Sequence, residues 1–119
     1  MLQLIAPQSY RDASPEEIAA KTNGCGPEGW RLAIVEMLGS CTGLDFTPAC
    51  RIHDWMYGHG MPGDEVGRRD ADITLKINLD IIILSAGGPL TAARLAAADA
   101  FYASVREGGA AHYGVRAAA

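Results

Sequence analysis

Asp72, Leu75, Leu79, Ile82 and Ile83 recur at spacings of three or four. That stripe belongs to an amphipathic helix packed on another helix. The pattern predicts a helix from about Asp64 to about Ser85, ended by Gly87-Gly88. Asp72 is the one acidic member of the stripe, and a carboxylate on an apolar face needs a partner because burying a lone charge is costly. A second helix is predicted from Thr47, with Thr47 as N-cap and Pro48 at the first helical position. It breaks at Gly58-His59-Gly60-Met61-Pro62-Gly63. Leu90 to about Arg106 reads as a third, alanine-rich helix stopped by Gly108-Gly109. Ser14-Pro15-Glu16-Glu17 opens a short helix with the spacing of a capping box, which stops before Asn23-Gly24. Residues 1–13 read as an arm or a short strand. Trp30 to Leu38 is a helix or a buried strand; its apolar run does not separate the two.

The length of 119 residues fits one domain over 1–119, with a core at about 14–107, an N-terminal arm and a mobile C-terminal tail. A composition 49% hydrophobic and 20% charged is that of a folded protein. The net charge of -4 argues against a nucleic-acid partner, which calls for a basic face. The first residues lack a basic start and a long apolar run, so no signal peptide is predicted; export by another route and a cytoplasmic location both stay open. Three cysteines, Cys25, Cys41 and Cys50, leave the redox compartment open.

Candidate chemistry gathers on the helix from Thr47. His53 and Tyr57 are four apart and share a face. Asp54 is rotated about 100° from His53. Two helices joined by a glycine-rich turn would lie antiparallel, and His53 could then meet Asp72. Asp72 would fix the imidazole tautomer, leaving His53 to take a proton from water. Asp70 could compete for that role, but the apolar stripe continues from Asp72. Asp54 could hold a cation that stabilises an oxyanion. Upstream, Asn23-Gly24-Cys25-Gly26-Pro27-Glu28-Gly29 is either a connecting turn or a loop offering carbonyl oxygens to a hard cation such as calcium.

These elements resemble the phospholipase A2 superfamily, most of all its small bacterial and parvoviral branches. Cys50-Arg51-Ile52-His53-Asp54-Trp55-Met56-Tyr57 resembles the family's Cys-x-x-His-Asp-x-x-Tyr signature, Gly24 to Gly29 its calcium loop, and Ala71-Asp72-Ile73-Thr74-Leu75 the start of its next helix. The resemblance covers roughly residues 23–80. It implies an all-α fold: two long antiparallel helices carrying the site, a glycine-rich calcium loop and shorter helices. It implies calcium-dependent hydrolysis of the sn-2 ester of phospholipids at a membrane interface. His53 would be the base, Asp72 its orienting partner and Tyr57 the tyrosine bonded to that aspartate. Asp54 would be the side-chain calcium ligand, with Gly24, Gly26 and Gly29 supplying carbonyls and Asn23 a secondary ligand. Cys25 and Cys50 match the pair that ties loop to helix.

Two other readings stand beside this one. A catalytically silent domain of the same fold would bind lipid or protein. A structural zinc module would use Cys25, Cys41, Cys50 and His53, although Cys25 and Cys41 lack the close spacing usual for such sites. His59, in its glycine turn, and Asp80 read as exposed, Trp55 and Met56 as core or rim, and Trp30 as core or a membrane-interface anchor. His112 and Tyr113 receive no role.

Overall fold

The structure is a computed structural model that describes residues 3–22 and 44–114. Five helices occur in them: α1 (Gln8–Asp12), α2 (Pro15–Lys21), α3 (Thr47–Gly58), α4 (Glu65–Ala86) and α5 (Thr91–Gly108). The described residues contain no strand, and the fold class is all-α.

The longest helix starts and stops where its chemistry demands. Asp64 caps α4 by accepting from the Gly67 amide at 3.1 Å, satisfying an N–H that has no partner within the helix. At the other end Gly87 has φ 62°, a left-handed conformation that a side chain disfavours. Its amide donates to the Ile83 carbonyl and closes the last turn.

The predicted stripe faces inward: Asp72, Leu75, Leu79, Ile82 and Ile83 are all buried. Leu75, Leu79, Ile82 and Ile83 pack with Phe46, Ala49 and Cys50 from α3 and its approach, and with Ala98, Phe101 and Val105 of α5. Each fully buried large apolar side chain contributes roughly 1.5–3 kcal/mol. The start of α3 meets the far part of α4, and Lys76 of α4 pairs with Asp99 while Asp72 pairs with Arg106. The three long helices therefore run antiparallel, each to the next.

The arm before α1 is fastened to the middle of the chain. The Ile5 amide donates to Asn78 Oδ1 at 2.7 Å, and Asn78 Nδ2 donates to the Ile5 carbonyl at 2.8 Å. Asn78 is fully buried, and this exchange satisfies its amide.

Several expectations shift. Residues 8–12 form a short helix, where an arm or strand was expected; it begins after Pro7, whose ring suits an extended residue before a helix. The N-cap of α3 is Phe46, so Thr47 lies inside the helix, and Asp45 Oδ1 accepts from the Thr47 amide at 3.0 Å. Ser14 caps α2 as expected, accepting from the Glu17 amide at 3.1 Å. The Glu17 carboxylate instead takes Lys21, so only half of the capping box forms. Asp80 is half-buried and paired with Lys76, where exposure was expected: Lys76 lies one turn before it. The glycine-rich stretch, Trp30 to Leu38, Cys25 and Cys41 lie outside the described residues.

Candidate active site

The turn between α3 and α4 sets the site. It is short and returns the chain on itself, so the face of α3 carrying His53 and Tyr57 meets the first half of α4. His53 is 3% exposed and Asp72 is fully buried. His53 Nε2 lies 2.9 Å from Asp72 Oδ1. An ionised carboxylate only accepts, so Nε2 carries the proton toward Asp72, and the other ring nitrogen, Nδ1, is the one left for proton transfer. Tyr57 donates to the same oxygen at 2.6 Å, and its ring lies 4.3 Å from the imidazole, centroid to centroid. The four-residue spacing on α3 thus delivers both side chains to one carboxylate oxygen.

Asp72 Oδ2 faces the opposite way. Arg106, in the last turn of α5, donates to it from Nη1 at 2.6 Å, and Arg68 Nη1 lies 3.5 Å away. Arg68 is itself buried; its Nε donates to Glu65, and its Nη1 to the Arg106 carbonyl at 3.1 Å. Burial acts to raise the Asp72 pKa, but hydrogen bonds from His53, Tyr57 and Arg106 outweigh it. The group is held below the ordinary carboxylate range. Tyr57 is pushed well above the ordinary phenol value, first by burial and then by its bond to Asp72. It therefore stays a neutral donor.

Asp54 lies half-buried on the adjoining edge of α3, and Asp70 is exposed. Asp70 carries the Thr74 hydroxyl on its backbone carbonyl, and it is Asp72 that meets the histidine. The remaining predicted metal ligands, Asn23, Gly24, Gly26 and Gly29, lie outside the described residues. Among the described residues no cluster of three or more histidine, cysteine, aspartate or glutamate side chains could hold a metal. Cys50 is disulfide-bonded; Cys25 and Cys41 both lie outside the described residues. Trp55 is core, with its indole N–H donating to Ser9 Oγ. His59 is exposed as expected, yet its ring stacks on Trp55 at 4.2 Å. A cleft of about 410 Å³, lined by Leu4, Tyr10, Arg11, Ile18, Pro48 and Ile52, lies between α3 and the arm with α1 and α2. The His53–Asp72 pair does not line it.

Sequence reasoning passed over three participants. Arg68 could have been found, since it precedes Asp72 by four residues on a predicted helix. Arg106 carried no signal, because its approach depends on how α5 packs. Tyr113, expected in a mobile tail, is buried and packs edge-on against Tyr57 with ring centroids 5.1 Å apart. The Gly114 amide donates to the Tyr57 carbonyl at 2.8 Å, so the segment after α5 closes over this end of the site.

Gly109 permits that closure. A Cβ there would collide with the Tyr57 hydroxyl and sit 2.6 Å from the Val105 carbonyl. Gly109→Ala is expected to destabilise the protein by about 1–3 kcal/mol, the usual cost of overpacking, read as a lower urea midpoint with unchanged m-value.

Compared with known proteins, the chain matches no family model, no curated protein and no solved structure. No described helix is long and apolar enough to cross a membrane.

Proposed function

We propose that the protein is a calcium-dependent hydrolase of the phospholipase A2 type, with a phospholipase A2-like helical fold, that cleaves the sn-2 ester of phospholipids at a membrane interface. The observation that carries the reading is the buried His53–Asp72 pair, with Tyr57 on the same carboxylate oxygen. The resemblance of the sequence around Cys50–Tyr57 and Ala71–Leu75 adds to it.

The chain's own groups divide the work. Asp72 and Tyr57 hold the imidazole with its proton on Nε2, so Nδ1 is the atom that accepts a proton from the attacking water. Asp72 stabilises the imidazolium that forms. His53 then returns the proton to the leaving alkoxide. Asp54 follows the base in sequence and carries carboxylate oxygens, the donor type a hard cation takes. With Asn23 and the carbonyls of Gly24, Gly26 and Gly29 it would complete the set. Bound calcium would supply charge that polarises the ester carbonyl and steadies the oxyanion. The proposed Cys25–Cys50 disulfide would tie that loop to α3.

A zinc module is disfavoured on one observation: Cys50 is disulfide-bonded, and a disulfide sulfur offers no thiolate to zinc. A silent lipid-binding domain differs from the leading reading in its assay. Fatty-acid release from phosphatidylcholine vesicles is expected to require added calcium and to stop with a chelator. Release that continues unchanged in chelator would remove calcium from the mechanism, and binding without release would favour the silent domain.

A further inference from the structure

We infer that Arg106 is a positioning residue for the His53–Asp72 pair, fixing the carboxylate from the third long helix. The inference rests on the reading of His53 as a general base and deepens it. A carboxylate turns about a broad torsion with no strong staggered preference. His53 and Tyr57 both bind Oδ1 and do not by themselves set the tilt of the group. The second oxygen, Oδ2, decides it. Arg106 reaches Oδ2 at 2.6 Å, whereas Arg68 stands at 3.5 Å. The Arg68 guanidinium is held elsewhere, by Glu65 and by the Arg106 carbonyl. Arg68 thus anchors the backbone that carries Arg106, and Arg106 makes the short contact to the carboxylate. The Arg106 side chain is 24% exposed and that of Asp72 fully buried, so the pair meets at the inner edge of the α4–α5 seam. There a charge-assisted hydrogen bond is stronger than in water. The consequence is directional: with Oδ2 pinned, Oδ1 stays aimed at His53 Nε2.

Arg106→Gln and Arg106→Met remove the cation while keeping much of the side-chain stem, and Arg106→Lys keeps the charge. Two readouts apply: kcat and KM for fatty-acid release from phosphatidylcholine vesicles with calcium, and the His53 tautomer by nitrogen-15 NMR. In Arg106→Gln and Arg106→Met the tautomer is expected to become mixed, and kcat to fall about 10- to 100-fold, the scale of a small misplacement of a reacting group. KM should stay within about twofold, and Arg106→Lys should recover most of kcat and the single tautomer. Folded Gln and Met variants with a single Nε2–H tautomer and wild-type kcat overturn the inference. If neither folds, the wild-type Arg106 guanidinium decides: resolved Nη protons from hindered rotation support the contact, and a freely averaged set overturns it. A wild-type protein that releases no fatty acid sinks the hydrolase reading, while the tautomer readout still decides the role of Arg106.

Discussion

His53→Gln is expected to lower kcat for fatty-acid release by about 10²–10⁴-fold, the usual contribution of a general base, while vesicle binding and helical content remain. Glutamine can still donate a hydrogen bond toward Asp72 Oδ1, where His53 Nε2 now lies at 2.9 Å. It cannot accept a proton near neutral pH. The substitution therefore separates holding Asp72 from taking the proton. The checks are release kinetics, vesicle sedimentation and far-ultraviolet circular dichroism on one preparation. A variant as active as wild type would remove His53 from the mechanism.

The second large effect is on stability as well as rate. Asp72→Asn is expected to cost about 3 kcal/mol, the lower end for breaking a buried ion pair by removing one partner. The lower end applies because Glu65 remains as a counter-charge for Arg68 and lies 3.6 Å from Arg106. The rate should fall too, because the amide can present its NH₂ to the imidazole and favour the wrong tautomer. The pH dependence follows from the same contacts. Asp72 is held below the ordinary carboxylate range, so the unfolded chain protonates it more readily than the folded protein does. Its contribution to stability is complete above that range and is lost as pH falls through the lowered value. Melting temperature against pH should therefore drop steeply in acid for the wild type. In Asp72→Asn the curve should start lower and be flatter on its acid side. Parallel acid limbs in the two proteins would show that Asp72 is not the titrating group.

The helices that carry the site were legible because their signals are local. The stripe from Asp72 to Ile83 has helical period, Gly87 stops α4 where a left-handed residue is needed, and the spacing of His53 and Tyr57 places both on one face. The boundary of α3 was misplaced by one residue because the Asp45 side chain competes for the Thr47 amide. What the sequence withheld depends on packing between distant segments. Arg106 lies 34 residues from Asp72, and nothing near it in the chain marks it as a partner. Tyr113 sits among alanine and glycine, which resembles a mobile tail, until α5 carries it back to Tyr57. The short helix at 8–12 lacks the apolar period that would announce it, and none of its residues is buried.

Asn78 imposes an uneven constraint on the chain. It engages Ile5 through the backbone alone, giving and receiving one hydrogen bond as a neighbouring peptide group would. The Ile5 side chain is not used, and residue 5 is 45% exposed. The exchange therefore excludes proline at position 5, which lacks the amide, and asks nothing of the side chain there. Position 78 has no such latitude. Aspartate lacks the donor, leucine lacks both groups, and glutamine is one methylene too long for the same reach. Of two residues that share one contact, one is specified by its identity and the other only by its conformation.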